Sequence, residues 1–318
     1  MYRGEMKGSE WEARLADCVP PERIKRDAPL APLTTFKVGG PADWLIDVAS
    51  VDALTGVLAA ARDAGMPVTV LGGGSNVLIG DRGIRGAVIR LTLGNISAPR
   101  PDRVRADAGV TINGLVRWTV GRGLAGLEAW AGTPGTVGGA IYGNAHFNGR
   151  NIGDLVATVG LVTPDGVAAT VPRLELGLAY DTSRLKKTRE ILVWAEFEVQ
   201  PGEPDALRAV ARASLAHRKR TQPLESPSAG CIFQNPDPTA DRLPPGVPAS
   251  AGALIDRVGL KGARVGGAAI STTHANFFIA DGGASARDIL TLIERAREAV
   301  RRQFQVELRD EIITLGEF

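Results

Sequence analysis

The sequence contains few of the residues that cross-link a chain or bind metal ions. Among 318 residues there are only two cysteines, Cys18 and Cys231, and three histidines. Two cysteines cannot form a disulfide framework, which indicates a reducing compartment. His146, His217 and His274 lack the spacing of metal ligands, so we expect no metal site.

Long apolar runs and an excess of one charge are also missing. No stretch of about 20 apolar residues is present, and the N-terminal segment Met1–Trp11 is charged, without the apolar core of a signal peptide. The 37 basic and 35 acidic residues leave a formal charge of +2, too small for a nucleic-acid-binding footprint. We therefore expect a monomeric cytoplasmic protein with a small-molecule partner, no nucleic-acid partner and no membrane insertion.

The apolar periodicity predicts helices and strands that interleave unevenly, which favours an α+β fold. Predicted helices are Val51–Ala64, Ile112–Arg122, Ala206–His217, Ala251–Arg257 and Ala286–Phe304. Predicted strands are Ala42–Val48, Pro67–Leu71, Val77–Ile79, Val88–Leu91, Val104–Asp107, Gly160–Thr163, Ile191–Val199 and Val306–Leu315. The segment Gly126–Gly153 is interpreted as rich in loops, and Asn235–Pro248 as a loop.

A glycine-rich turn between two predicted strands favours phosphate binding. It consists of Gly72, Gly73, Gly74, Ser75 and Asn76, and its backbone N–H groups are not shielded by Cβ atoms. The turn lacks the Gly-Lys-Ser/Thr of a P-loop and does not open a helix as a Rossmann fingerprint does. A tight hairpin is the alternative interpretation.

A second cluster favours an extended ligand. It contains Gly132, Thr133, Pro134, Gly135, Thr136, Val137, Gly138, Gly139 and Ala140. The cluster is too rich in glycine for the interior of a helix or strand and too apolar for a flexible linker. Two such clusters on one ligand suit a dinucleotide better than a mononucleotide.

Six segments carry a recognisable pattern: Thr34–Ala42, Leu71–Leu78, Gly132–Ala140, Ser228–Pro236, Gly266–Phe277 and Leu308–Ile312. Together they resemble the UDP-N-acetylenolpyruvoylglucosamine reductase (MurB) family of peptidoglycan precursor synthesis. The compact region after Asn235 is similar to that of type II members. The resemblance implies an FAD-binding fold of the vanillyl-alcohol-oxidase/PCMH type in two α/β subdomains, 1–91 and 92–213 completed by 305–318. A third α/β domain, 214–304, would bind substrate.

The resemblance implies that NADPH reduces a non-covalently bound FAD, which then reduces the enolpyruvyl group of UDP-N-acetylglucosamine enolpyruvate to give UDP-N-acetylmuramate. Negative charge develops on the carbon beside the carboxylate, and it needs donors and a general acid. Cys231 matches the family's proton donor and Glu311 its catalytic glutamate. Without the resemblance, Cys231 would be read as a buried small apolar residue and Glu311 as an exposed strand residue.

Two positions depart from the family pattern. Tyr180-Asp181-Thr182-Ser183 has aspartate where relatives commonly have arginine, and Arg184 is our hypothesis for the replacement cation. His146 stands where many relatives have glycine; it could contact flavin or substrate, or make a structural hydrogen bond.

For the diphosphate and carboxylate of the substrate, the resemblance suggests five residues: Arg218, Gln222, Asn235, Lys261 and His274. Two other functions remain open. One is an FAD-dependent oxidase or dehydrogenase of the same fold, which would need a base where Cys231 offers an acid. The other is a non-catalytic flavin- or UDP-sugar-binding protein, which would have no use for a positioned acid.

Overall fold

The helices begin at the caps that the sequence provides. The computed structural model describes residues 8–241, 243 and 245–318. In it the Ser50 hydroxyl accepts a hydrogen bond from Ala53 N, and the Ser285 hydroxyl accepts one from Asp288 N. Residues 1–7 of the charged N-terminal segment lie outside the described residues. The α-helices are α1 (Gly8–Cys18), α2 (Val51–Asp63), α3 (Ile112–Val120), α4 (Val137–Tyr142), α5 (Leu185–Thr188), α6 (Pro204–Thr221), α7 (Ala251–Arg257) and α8 (Ala286–Phe304). None of the helices in this described part is long and apolar enough to cross a membrane.

Each predicted strand overlaps an observed strand, although some begin earlier than predicted and several other strands were not predicted. They are β1 (Ile24–Pro29), β2 (Pro41–Val48), β3 (Val68–Val70), β4 (Val77–Ile79), β5 (Ile84–Leu91), β6 (Ile96–Arg100), β7 (Arg103–Asp107), β8 (Leu124–Ala125), β9 (His146–Phe147), β10 (Arg150–Asn151), β11 (Val156–Val162), β12 (Ala168–Pro172), β13 (Ile191–Glu198), β14 (Gln200–Pro201), β15 (Arg264–Val265), β16 (Ala268–Ile270), β17 (Phe278–Ala280) and β18 (Ile313–Leu315).

One compact unit contains the residues through Ala28, Ala42–Gly73 and Arg85–Leu215. It contains two main sheets, with strand orders β1-β2-β5-β3 and β12-β11-β13-β7-β6. The first sheet packs its core with α1 and α2, and the second with α3 and α4. Both cores are built from aliphatic side chains with a few tryptophans, as the alternating strands and amphipathic helices predict.

The other compact unit contains Pro29–Pro41, Gly74–Ile84 and Ala216–Phe318. Its sheet has the order β15-β16-β17, and a separate parallel pair joins β18 to β4. The apolar face of α8 and the short helix α7 cover one core built around Phe233 and Phe278. Residues 305–318, predicted to complete an FAD-binding subdomain, belong to this unit, and the division into three domains stays a prediction.

Two of the predictions differ from the structure in the type of element and not only in its bounds. The segment Gly126–Gly153 is not only loop, since α4 passes through Gly138 and Gly139 with a Thr136 N-cap. The predicted strand Val306–Leu315 is a paired strand only at Ile313–Leu315. Alternation along Val306–Ile312 instead reflects burial of Val306, Leu308 and Ile312 in the α8 core.

Candidate active site

In the first unit, the start of the glycine-rich turn lies against the second glycine cluster. A Cβ atom on Gly73 would lie 2.6 Å from Gly135 Cα, and one on Gly72 would lie 3.1 Å from the Thr136 hydroxyl. Real Cβ contacts essentially never fall below 3.0 Å, so the approach at Gly73 requires glycine. The two clusters predicted to serve one ligand are therefore neighbours in this unit over residues 72–73 and 135–139.

The second cluster is fixed in place by α3 and the segment before it. Gly132 N donates to Asn113 Oδ1 at 2.7 Å, and Asn113 Nδ2 donates to Thr133 O at 3.3 Å. Gly138 N donates to Ala108 O at 2.9 Å. Sequence reasoning missed Asn113; its only signal was a polar residue in the first turn of an apolar helix.

In the second unit, Gly74, Ser75 and Asn76 complete the turn. Gly74 has φ of +62°, and a Cβ there would collide with the Leu33 carbonyl, so both conformation and space favour glycine. Asn76 Nδ2 donates to Glu311 O at 3.0 Å, and Ile313 N donates to Asn76 O at 3.0 Å. Asn76 therefore links the turn to the segment that carries Glu311.

The same unit brings Cys231 and Glu311 together. The segment beginning at Cys231 runs between two others: a bridge pairs Cys231 with Phe277, and Ile232 O accepts from Glu311 N at 2.8 Å. Burial raises the pKa of the Cys231 thiol, and the charge of Glu311 raises it further. The thiol is thus kept protonated, the state that a proton donor requires.

Asn276 joins this pair, and the sequence analysis did not single it out as a site residue. It is 2% exposed, and its side chain bonds the Phe233 backbone: Oδ1 accepts from Phe233 N at 3.0 Å and Nδ2 donates to Phe233 O at 2.7 Å. Its place in the His274–Phe277 segment was the available signal.

Three of the predicted substrate residues are near the start of α7 or the loop after it. Asn235 Oδ1 accepts from Ala251 N at 3.1 Å, and Lys261 Nζ pairs with Asp256 Oδ2 at 2.8 Å. Burial, and then the charge of Lys261, lowers the pKa of His274. His274 and Lys261 are therefore close to each other, while the Asn235 amide oxygen caps the helix.

The other two predicted substrate residues lie near the end of α6. Arg218 is 6% exposed, and burial lowers its pKa to about 10, so the guanidinium stays charged at neutral pH. Gln222 N donates to Arg218 O at 2.9 Å, which places Gln222 one turn later. A buried cation is well suited to an anionic ligand.

Arg184, the hypothesised replacement for the family's arginine, is bound by the Glu190 carboxylate in the first unit. Its Nε and Nη2 donate to Glu190 at 2.9 and 2.7 Å, and Nη1 donates to Glu175 O at 3.2 Å. Asp181 is buried with φ of +48° and pairs through Oδ1 with Lys186 Nζ at 3.2 Å. The only predicted replacement for the family's arginine is thus already engaged.

His146 lies beside this second ion pair. Its ring centroid is 4.6 Å from that of Tyr180. Burial lowers the pKa of His146, although the charge of Asp181 acts in the opposite direction. The two departures from the family pattern, Asp181 and His146, therefore interact electrostatically.

Comparison with known proteins fits this arrangement. Residues 222–315 match the C-terminal domain model of UDP-N-acetylenolpyruvoylglucosamine reductase, and residues 42–171 match an FAD-binding domain model. The UDP-N-acetylenolpyruvoylglucosamine reductase of Anaeromyxobacter sp. strain Fw109-5 is 41% identical over 99% of this chain and 96% of its own. The chain belongs to the UDP-N-acetylenolpyruvoylglucosamine reductase (MurB) family.

Solved structures agree with this assignment. The crystal structure of the Thermus caldophilus enzyme matches with a TM-score of 0.77 and 33% identity, over 92% of this chain and 99% of that one. The glucose dehydrogenase Phl p 4.0202 matches with a TM-score of 0.50 and 16% identity, over 61% of this chain and 44% of that one, which shows the shared fold alone. The protein is a MurB-family oxidoreductase with an FAD-binding fold of the vanillyl-alcohol-oxidase/PCMH type.

The glycine positions fit FAD, the cofactor of this family. At Gly73 and Gly74 a side chain would strike neighbouring backbone, so glycine is required where these segments pack closely, and it leaves no Cβ to shield the turn.

Proposed function

We propose that this protein uses NADPH and FAD in the cytoplasm to reduce UDP-N-acetylglucosamine enolpyruvate to UDP-N-acetylmuramate. The observation that carries the proposal is the placement of Cys231 and Glu311 on adjacent extended segments, with the thiol kept protonated. Bound FAD would supply the hydride that the double bond needs. The residues of the chain supply binding, charge stabilisation and the proton.

Cys231 is the proposed proton donor. Addition of hydride to one carbon of the double bond leaves an electron pair on the carbon that bears the carboxylate. The Cys231 S–H bond breaks, its proton goes to that carbon, and the electron pair of the bond stays on sulfur. Because burial and Glu311 disfavour the thiolate, Cys231 then recovers a proton from solvent.

Glu311 is the proposed stabiliser of the enolate. The substrate carboxylate beside Glu311 would favour its protonated form by like-charge repulsion, and the protonated carboxyl group can donate a hydrogen bond to that carboxylate as charge builds there. Its backbone is fixed on both sides, since Glu311 N donates to Ile232 O and Glu311 O accepts from Asn76 Nδ2. This fixed backbone supports a preorganised role for the side chain.

Arg184 stays in the proposal as the candidate cation for the developing charge. To act on the substrate, its guanidinium would have to exchange at least one bond to Glu190 for a bond to the ligand. The side chain is 28% exposed, so it is partly accessible.

The remaining proposed roles concern binding. The FAD-binding residues are Gly72, Gly73, Gly74, Ser75, Asn76, Gly132, Thr133, Pro134, Gly135, Thr136, Gly138, Gly139 and Ala140. The substrate-binding residues are Arg218, Gln222, Asn235, Lys261 and His274. Among them Arg218 has the strongest physical support, because a buried guanidinium is best compensated by an anionic group.

An anaerobic two-step assay tests the proposal. NADPH should bleach the visible flavin absorbance, and UDP-N-acetylglucosamine enolpyruvate should restore it with formation of UDP-N-acetylmuramate. Cys231→Ala and Glu311→Gln should still be bleached by NADPH but recover absorbance at least about 100-fold more slowly, since removal of a general acid typically costs 10² or more in rate. Normal recovery in Cys231→Ala would exclude the thiol as proton donor, and protein unable to take up FAD would refute the proposal entirely.

A further inference from the structure

An arginine on α8 contacts two segments of the second unit, the Glu311 segment (residues 306–311) and the Cys231 segment (residues 231–234). In the first of these, Arg297 Nη2 donates to Asp310 Oδ1 at 2.6 Å, and Arg297 Nε donates to Leu308 O at 3.3 Å. One guanidinium therefore binds both a backbone carbonyl and a carboxylate in the stretch that leads to Glu311.

The same guanidinium reaches the Cys231 segment through an aromatic ring. Its Cζ lies 5.8 Å from the centroid of the Phe233 ring, within the range of a cation–π contact. Phe233 is fully buried and forms an antiparallel bridge with Asp310. Arg297 thus contacts both partners of the residue pair that joins the two segments.

The pairing of the two segments is short. The bridge between Phe233 and Asp310 is isolated, and one of the bonds beside it runs from Glu311 N to Ile232 O at 2.8 Å. Because side chains alternate between the faces of paired segments, a slip by one residue would turn the Glu311 side chain to the opposite face. So short a pairing resists a slip only weakly unless side chains fix its register.

The two sides of Glu311 are held differently. After Glu311 the chain enters β18, which pairs in parallel with β4 from Ile313 to Leu315. Before Glu311, residues 305–309 lie outside the strands. The contacts of Arg297 are on this less regular side, so they tie the approach to Glu311 to the rigid helix α8.

The geometry of the contact matters more than its charge. The Arg297 and Asp310 side chains are 30% and 39% exposed, and an ion pair of that exposure adds little stability by itself. A guanidinium is planar and donates from several nitrogens in fixed directions, which a simple point charge does not do. It can therefore fix the positions of two neighbouring groups relative to each other.

We propose that Arg297 is a positioning residue that fixes the register of the Glu311 segment against the Cys231 segment. The inference rests on the proposed role of Glu311 in stabilising the enolate. A displacement of about 1 Å from the productive geometry can cost about 100-fold in rate, so a loosened register would impair that role. Arg297 acts through Asp310, Leu308 and Phe233.

The first test measures how firmly the Glu311 segment is held, in FAD-loaded protein without NADPH or substrate. Arg297→Met removes every donor and keeps an unbranched side chain. Amide hydrogen exchange in peptides that cover the Glu311 segment should become about 5- to 20-fold faster, the effect of losing hydrogen bonds from a partly exposed cation. Arg297→Lys keeps the charge without the planar donor group, so it should restore only part of the protection.

Arg302→Met is the matched control. Arg302 is on the same helix and pairs with Glu298 of that helix at 3.7 Å. This substitution should leave both hydrogen exchange in the Glu311 segment and flavin reoxidation unchanged. Unchanged exchange in Arg297→Met, or equally accelerated exchange in Arg302→Met, would overturn the proposal.

The second test measures the two half-reactions of the FAD-loaded variants, with rates expressed per bound FAD. NADPH should bleach Arg297→Met at the normal rate, because Glu311 is proposed to act only on the enolpyruvyl substrate. Reoxidation by UDP-N-acetylglucosamine enolpyruvate should slow at least about tenfold in kcat with little change in KM, since the interaction lost is one made in the transition state. A purely structural role would lower the amount of FAD-loaded protein and leave the rate per bound FAD unchanged.

Double variants identify the route of the effect. If Arg297 acts through its carboxylate partner, Arg297→Met combined with Asp310→Ala should reoxidise no more slowly than the slower single variant, whereas additive losses would contradict the coupling. Normal reoxidation in Glu311→Gln would refute the proposed role of Glu311 and with it this inference. Slow reoxidation in Glu311→Gln together with normal reoxidation in Arg297→Met would refute this inference alone.

Discussion

Replacing Gly73 with alanine tests whether the close approach of the two glycine-rich segments is what binds FAD. The new Cβ would lie 2.6 Å from Gly135 Cα, 3.1 Å from Gly135 C and 3.2 Å from Thr136 N. All three are backbone atoms, so no side chain can rotate away and the two turns must separate by several tenths of an ångström. Overpacking of this kind costs about 1–3 kcal/mol.

The size of the expected effect follows from that penalty. If bound FAD requires the native separation, Gly73→Ala should weaken FAD binding by about 5- to 150-fold, because each 1.4 kcal/mol is a factor of ten. If the apoprotein cannot relieve the clash by separating the two turns, the penalty is present without FAD and lowers the free energy of unfolding instead of the FAD affinity. Titration of the apoprotein with FAD and urea unfolding without FAD measure the two parts.

Two other glycines provide a graded comparison. At Gly72 the nearest atom is the Thr136 hydroxyl at 3.1 Å, which can rotate, so Gly72→Ala should have a smaller effect. At Gly94 only Thr92 O lies within 4 Å, at 3.9 Å, and alanine there should be neutral or slightly stabilising. Equal FAD affinity and stability in Gly73→Ala and Gly94→Ala would refute the reasoning.

Three further outcomes are expected. Arg184→Ala should lower the free energy of unfolding by about 1–3 kcal/mol, because Glu190 is left without its bidentate partner. If Arg184 is the cation that stabilises the developing charge, the substitution should also slow flavin reoxidation at least about tenfold. Near-normal reoxidation would exclude that role. Asn76→Ala should cost about 1 kcal/mol in urea unfolding through loss of the bond to Glu311 O, while an unchanged midpoint would show that bond to be dispensable. The pKa of His146 in the folded protein lies below its ordinary 6.5, so the unfolded state binds more protons, and stability should fall as the pH drops through 6.5 towards the folded pKa. His146→Phe should flatten that part of the pH–stability profile. An unaltered slope would contradict a lowered pKa at His146.

Elements with strong local signals were predictable from the sequence. The helices Ala251–Arg257 and Ala286–Phe304 have the predicted bounds, because a serine cap and an apolar stripe fix them without help from the rest of the fold. The prediction failed where tertiary contacts override propensity. Gly138 and Gly139 lie in a helix because hydrogen bonds to Val110 and Ala108 fix its first turn.

In the candidate site, too, local sequence signals were predictable and contacts between distant segments were not. The resemblance of short segments, among them those around Cys231 and Glu311, gave the family and implied the reaction class. The pairing of the Cys231 segment with the segments of Asn276 and Glu311 joins residues far apart in the chain, and local sequence contains no record of which segments pair. The hypothesis for Arg184 had the same weakness, because the nearest cation along the chain was chosen without knowledge of its partner.

By itself, the sequence determined the class of protein, the cofactor and most of the secondary structure, and it supplied the reactive side chains that we propose. Only the tertiary structure decided that Glu190 holds Arg184, that Asp181 pairs with Lys186 beside His146, and that the Asn276 amide bonds the Phe233 backbone two residues after Cys231. The physical reason is that ion pairs and pKa shifts depend on distance and burial, which arise when distant segments pack together.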